Sequence, residues 1–408
     1  MQVYIGIDWS EEKHDVVFMN EAGADLAVLC IPQKLEGFQQ FDAARQKLGL
    51  APEECVIGIE TAHNLYVDYL LDQNYRALYV LPPNQVRSNR GRFRQSGAVD
   101  DPAAARLIAE IVRTDRGRLH PWQPDSPLTR QMRAQLNWLI QLTRDTTRLS
   151  NRLRAELLRY YPAALAVFKK GVNTQITPEF IQAYPTPQAA QALSQADFIA
   201  FARQHHYPNL ERLSYCYARL QEKYPAAHPE VVAMYQAEAV QLAHLLLEAM
   251  HTRLVVLKSL QELYQQHPKH AVFDSLPGVG ELIGPGLLAH FGDDLERFPT
   301  AASAQTLAGT APVTARSGKS KHVHFRWACD KEWRYICQEW AMTLVHNTQA
   351  PIAVAYYQQI RPHCHSEQHA LRCVANRWLA VAWKLWQTGQ TYDPAVHLQN
   401  RAARSQPR

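Results

Sequence analysis

Along the first third of the chain, apolar residues fall in short runs closed by polar or turn-forming ones. Val3–Ser10 (VYIGIDWS) alternates β-branched and aromatic residues with small ones, which predicts a buried strand delivering Asp8 at its C-terminal end. Cys55–Glu60 (CVIGIE) repeats the arrangement and closes on Glu60. Between them the pattern predicts a hairpin partner over His14–Asn20, a turn at Glu21-Ala22-Gly23, a strand over Leu26–Ile31, and a helix over Lys34–Leu48 carrying Leu35, Phe38, Phe41 and Leu48. A helix over Asn64–Leu71 and a strand over Ala77–Leu81 follow, stopped by Pro82-Pro83. Three strands followed by a helix, strand, helix, strand order describe an α/β domain with a mixed sheet over residues 1–120.

From Leu128 to Tyr160, apolar residues recur three or four apart (Leu128, Met132, Leu136, Leu139, Leu142, Leu149, Leu153, Leu157), and arginines fill much of the rest. This predicts an amphipathic helix of about 30 residues, roughly 45 Å long. Val231–Tyr264 carries a matching stripe in Tyr235, Leu242, Leu246, Met250, Leu257 and Tyr264. The two helices pair as an antiparallel coiled coil with residues 161–228 at its tip, or pair between subunits. They define a second region, 121–268. A third, 269–390, opens on Leu276-Pro-Gly-Val-Gly280 with Ile283, Leu287 and Leu288, the pattern of a helix-hairpin-helix motif. Gly278 and Gly280 would there let backbone N–H groups approach phosphate. Trp327–Asn347 and Glu367–Gln387 read as Trp-rich core helices, and 391–408 as a loose basic tail.

Composition narrows the class. In 408 residues, 47% hydrophobic, no uninterrupted apolar run approaches the roughly 20 residues of a membrane span, and the N-terminus enters a strand directly, so a cytoplasmic protein is expected. Seven cysteines without a regular framework fit reduced thiols. The net charge of +5 is a mild lean toward polyanions. Its distribution says more: Arg87, Arg90, Arg92 and Arg94 stand together with Phe93, before any acid, where phosphate contacts outweigh a solvated helix face. A second basic stretch surrounds Ser317-Gly318 with Arg316, Lys319, Lys321 and Arg326, where a serine nucleophile for a phosphodiester could stand, although most such serines are only surface residues.

The candidate chemistry begins with Asp8 and Glu60. On neighbouring strands their charges require a divalent cation, and oxygen ligands suit Mg²⁺ or Mn²⁺. Asp100 and Asp101 precede Pro102 and cap the next helix, or Asp101 is a third ligand. His363, Cys364, His365, His369 and Cys373 have metal-like spacing, with 365, 369 and 373 on one helical face. No C-x-x-C knuckle accompanies them, so the sequence reading sets zinc aside.

The ordered set G-I-D-W-S (6–10), I-G-I-E (57–60), D-x-x-A-A-R-L-I-A-E (101–110), L-P-G-V-G (276–280) and S-G-K (317–319), with R-W-A-C (326–329), A-N-R-W (375–378) and Tyr392-Asp393, resembles the DEDD-type transposases of bacterial insertion sequences, the "one-ten" family, related to Piv-type DNA invertases. The resemblance spans nearly the whole chain. It implies a RuvC-like (ribonuclease-H-like) nuclease domain holding four acids on Mg²⁺, a coiled coil, and a mainly α C-terminal transposase domain with a catalytic serine. It further implies cutting and rejoining of donor and target DNA, guided by a structured noncoding bridge RNA, by a homodimer or a dimer of dimers. Carried over by position, Asp8, Glu60 and Asp101 match the first three acids and Ser317 the serine. Ala104 occupies the place of the fourth acid, and a register starting at Asp100 puts Ala103 there. The departure is natural, or Asp115 or another acid substitutes, or Ala104 is an inactivating change, which the fit of the surrounding helix favours. A junction-resolving nuclease and an inactive RNA- and DNA-binding protein are the alternatives.

Overall fold

The structure, a computed structural model, describes residues 2–405 except 63, 64, 94–100, 169, 319 and 347–349; for Phe93, Asp101 and residues 400–405 it describes the backbone only. The chain forms two units, Met1–Pro124 and Asp125–Arg408.

The first unit is built on a five-stranded sheet of β1 (Val3–Trp9), β2 (Lys13–Met19), β3 (Asp25–Pro32), β4 (Cys55–Ile59) and β5 (Ala77–Val80), in the order β3-β2-β1-β4-β5. β1 pairs antiparallel with β2 and parallel with β4, so the sheet is mixed, as the element order predicts. Helices α1 (Leu35–Lys47), α2 (Leu65–Asp72), α3 (Pro83–Phe93) and α4 (Asp101–Asp115) complete the unit. Both faces of the sheet are covered, which is why β4 is buried throughout and reads as a continuous apolar run. On one face Val3, Ile5, Ile7, Val16, Phe18, Ile57 and Ile59 pack with Phe38 and Phe41 of α1 and Tyr66 of α2. On the other, Tyr4 and Val56 pack with Ile108 and Val112 of α4. A mixed α/β sheet followed by a helix-rich remainder fits the ribonuclease-H-like architecture that the resemblance implies.

The second unit is organised by α5 (Pro127–Tyr160) and α11 (Pro229–Gln265), of 34 and 37 residues. Ser126 caps α5, accepting from the Thr129 N–H, and Pro127 fills its first turn. Met132, Leu136 and Ile140 of α5 share a core with Val256, Leu260 and Tyr264 of α11, whereas Leu153 and Leu157 meet Leu242 and Leu246. The helices therefore run antiparallel within one chain. α11 is long and apolar enough to satisfy a membrane span by length and composition, yet these leucines are spent on α5. At the tip stand α6 (Ala163–Val167), α7 (Ile176–Ala183), α8 (Pro187–Gln191), α9 (Gln195–Gln204) and α10 (Leu213–Leu220), with an aromatic core of Phe168, Phe180, Phe198 and Phe201.

After the pair come α12 (His270–Asp274), α13 (Ile283–Phe291), α14 (Ala301–Leu307), the antiparallel hairpin β6 (Val313–Ser317) and β7 (Ser320–His324), α15 (Lys331–His346), α16 (Pro351–Ile360), α17 (Glu367–Thr388) and α18 (Pro394–Ser405). Trp333, Trp340, Trp378 and Trp386 are fully buried in their core, as the sequence predicts. The basic stretch around Ser317, assigned no element from the sequence, is a hairpin. Residues 394–405, expected as a loose tail, form α18, where His397 packs against Trp378 and its Nδ1 is hydrogen-bonded to the Tyr392 hydroxyl at 3.0 Å.

Candidate active site

Gly6 and Gly58 stand two residues before Asp8 and Glu60, on adjacent strands in register. A Cβ on Gly6 would lie 1.8 Å from the Ala105 carbonyl oxygen, and one on Gly58 would lie 2.7 Å from Ile108 Cγ2. The glycines thus let α4 lie directly on the sheet, its 101-105-109 row over β1 and its 104-108-112 row over β4. Farther along α4, Arg113 donates to the Glu21 carbonyl in the β2–β3 turn, beside the start of β1. α4 therefore runs antiparallel to β1, and its N-terminus, Asp101, lies toward the end of the strand that carries Asp8. One turn back from Ala105 is about 5.4 Å; two residues on from Gly6 is about 6.6 Å.

Alternation places Asp8 on the face of Gly6, under α4. Glu60 follows β4 by one residue, so its backbone is next to that of Asp8, about 5 Å away by strand spacing. Burial pushes the Glu60 carboxyl up, and the nearby charges of Arg90 and Arg87 on α3 only partly offset it. The sheet adds an acid that the sequence reading missed. Asp15 pairs with Asp8 across the β1–β2 ladder, and directly opposed residues share a face. The register comes from a turn closed by Ser10 and Lys13, which sets Trp9 against His14 and Asp8 against Asp15.

Ala104 is partly buried on the row that covers β4, one turn before Ile108. Asp115, considered as a substitute acid, is corrected by its place at the far end of α4, about 21 Å along the axis by helical rise, where it pairs with Arg92 at 2.5 Å. Arg92 is thereby engaged, whereas Arg87 and Arg90 are exposed near Glu60. Asp100 and Arg94 lie outside the described residues, as does the side chain of Asp101.

Ser317 ends β6 opposite Ser320, and Gly318 turns the chain with φ +56°. Every described residue of the two strands is exposed. Arg316 stands directly opposite Lys321, and like charges so placed repel in the absence of an anion. Lys319 lies outside the described residues. Arg326 holds the hairpin's base, its guanidinium donating to the Ala311 carbonyl at 3.0 Å and the Pro312 carbonyl at 3.3 Å. The 276–280 turn, expected to present Gly278 and Gly280 to phosphate, is held from behind, and open space lies at Gly280. Gly278 adopts φ +70° beside Leu344, and Trp340 Nε1 donates to the Pro277 carbonyl at 2.9 Å, so the turn packs on α15. Its groove is also lined by Asp274, Glu281 and Glu339.

Comparison with known proteins gives two family matches, in order along the chain. Residues 5–162 match a DEDD-type family model described as "Transposase", and residues 270–358 one described as "Transposase IS116/IS110/IS902 family". The chain is 28% identical over 405 residues to the "Mini-circle putative transposase for IS117" of Streptomyces coelicolor, covering 96% of each. It is 25% identical over 341 residues to the "Insertion element IS900 uncharacterized 42 kDa protein" of Mycobacterium paratuberculosis, covering 81% of this chain and 82% of that one. The mixed sheet with its acids and the two matches in order have one reading: the chain belongs to the IS110 family of insertion-sequence transposases.

Proposed function

We propose that this transposase cuts and rejoins DNA with Asp8, Glu60, Asp101 and Asp15 as the acid cluster and Ser317 as the nucleophile, on a RuvC-like domain. The observation that supports the reading is strand register: Asp8 stands opposite Asp15 and next to the position of Glu60, at the end of the sheet where α4 begins. An all-carboxylate donor set with a desolvated Glu60 fits a hard divalent cation, Mg²⁺ or Mn²⁺. Bound there, the cation supplies Lewis-acid stabilisation of a phosphate. Arg87 and Arg90 bring positive charge to the same rim, which suits the DNA backbone.

Ser317 acts from the exposed hairpin. Its Oγ forms a bond to phosphorus as the bond to the 3′ oxygen breaks, leaving a phosphoserine link and a free 3′-hydroxyl. Arg316 and Lys321 flank the serine, and their mutual repulsion is relieved by the phosphate they bind. The acids and the serine belong to different units of the chain, and the reading has them meet between subunits of a homodimer or a dimer of dimers. A structured noncoding RNA as guide rests on the family resemblance. Against the reading stands Ala104, which favours an inactive nucleic-acid-binding protein; Asp15 is the answer to it.

The test is covalent capture. With DNA carrying the element's ends, its RNA and Mn²⁺, the chain should yield a protein–DNA adduct stable to denaturant, absent in Ser317→Ala. A Ser317→Ala protein that still cuts would make the chain a hydrolytic nuclease.

A further inference from the structure

Cys364, His369 and Cys373 are far from any acid of the proposed active site in sequence, and the fold brings their ligand atoms within 4.8 Å of one another. Cys364 lies in the turn after Arg361–His363. Ser366 caps α17 by accepting from the His369 N–H at 3.2 Å, which fixes His369 in the first turn. Cys373 stands one turn on, on the same helical face. All three side chains are half-buried, held by the fold yet within reach of solvent.

We infer that Cys364, His369 and Cys373 form a binding site for a Zn²⁺-class cation that clamps the 361–366 turn onto α17. The donor set is two sulfurs and one imidazole, the preference of a borderline-soft ion and unlike the carboxylates of the sheet. Zn–S bonds of about 2.3 Å in a tetrahedron put ligand atoms about 3.8 Å apart. The observed spread is within about 1 Å of that, a rotamer adjustment for two cysteines and a histidine. Loading releases one proton from each thiol, so two thiolates balance the dication. Burial pushes the Cys373 thiol up, and the nearby Arg372 guanidinium only partly offsets it, so deprotonation there is coupled to loading of the cation. The fourth position falls to His365, whose ring stacks 6.0 Å from that of His369, or to water.

The site has a structural consequence. Arg372 lies over the Phe325 ring at 4.7 Å, with Arg334 over the same ring at 5.0 Å, and Phe325 directly follows β7. A cation tying the turn to α17 stiffens the helix from which Arg372 grips the foot of the Ser317 hairpin. The absence of a C-x-x-C knuckle, which argued against zinc in the sequence, is made good by a turn and a helix face that converge in space.

The full chain, purified reduced and stripped of metal, is titrated with Co²⁺. One cobalt per chain should give a thiolate-to-cobalt charge-transfer band and tetrahedral visible bands, and Zn²⁺ should bleach both. Cys364→Ser, Cys373→Ser and His369→Ala should each weaken binding by more than the roughly 10–100-fold cost of losing an outer-shell partner. His365→Ala does the same if His365 is the fourth ligand and leaves the bands in place if water is. Asp8→Ala should leave the bands unchanged, because no sulfur serves the sheet site. The inference is overturned if the folded wild type, with Cys364 and Cys373 shown reduced, gives no thiolate band. It is overturned equally if the band survives in the Cys364→Ser/Cys373→Ser double variant, or if the two sulfurs are found joined as a disulfide under reducing conditions.

Discussion

Gly6 has no room for a methyl group. Its Cβ would meet backbone, the Ala105 oxygen at 1.8 Å and the Ala109 nitrogen at 2.5 Å, and backbone in the middle of a helix cannot rotate away. Gly58 would clash with the Ile108 and Val112 side chains, at 2.7 and 2.8 Å, which can change rotamer, while the Ile108 carbonyl oxygen stands at an ordinary 3.4 Å. Gly6→Ala should therefore cost about 3 kcal/mol or more and Gly58→Ala about 1–2 kcal/mol, read by urea unfolding. Equal costs would mean that α4 does not lie on β1 as described. Ala104 poses the complementary question, since its helical row leads over β4 toward Glu60. If the cluster lacks one acid there, Ala104→Asp should tighten Mn²⁺ binding by at least about tenfold, and Asp15→Asn should weaken it by more than the roughly 10–100-fold cost of losing an outer-shell partner. Calorimetry that finds Asp15→Asn without effect removes Asp15 from the ligand set. Asp8 and Glu60 were legible because each closes an apolar run. Asp15 was not, because one acid at the start of a strand means little until register sets it across from Asp8.

Whole elements were legible where burial is one-sided. The α5 and α11 stripes show at helical spacing because each helix buries a single face, and their ends fall within two residues of those expected. The hairpin was not legible, since no residue of β6 or β7 is buried and exposed strands leave no alternation to read. The Cys364, His369 and Cys373 set was visible as spacing, and only the turn before α17 shows that it closes. The joint between long helices depends on charge that no periodicity reveals. Asp293, just after α13, accepts from the Ser126 N–H at 2.7 Å and Thr129 Oγ1 at 3.0 Å at the start of α5, and lies 2.9 Å from His267 Nε2, just past α11. Burial works against its charge, but the bonds from His267, Ser126 and Thr129 outweigh that and hold the carboxyl well below its ordinary 3.8. A depressed folded-state value gives stability that is whole above the unfolded value and lost as pH falls toward the folded one. Asp293→Asn should thus cost about 1–2 kcal/mol near neutral pH, allowing for its partial solvent exposure. The gap should narrow below about pH 4. A gap independent of pH in thermal unfolding would assign the effect to shape rather than charge.

At the scale of the molecule, the proposed chemistry is divided between two units, with the acids before Pro124 and Ser317 after Asp125. The long pair that begins the second unit leaves the neighbouring Leu254 and Val255 of α11 about half exposed, apolar surface that a second copy can cover. Recombination needs two duplexes held together and broken ends retained, and dividing the site between subunits makes cutting wait for assembly. In the proposed reading, the acids of one subunit therefore serve Ser317 of another. A chain with Asp8→Ala and Glu60→Ala should be inactive alone, as should Ser317→Ala. Mixed before addition of nucleic acid, the two should recover part of the adduct, because some assemblies pair an intact acid cluster with an intact serine. Random pairing of equal amounts into dimers makes about half of them mixed, each with one working site of two, so recovery should approach about a quarter of the wild-type yield. Mixtures that stay inactive while both proteins still assemble on DNA would place acids and serine in the same subunit.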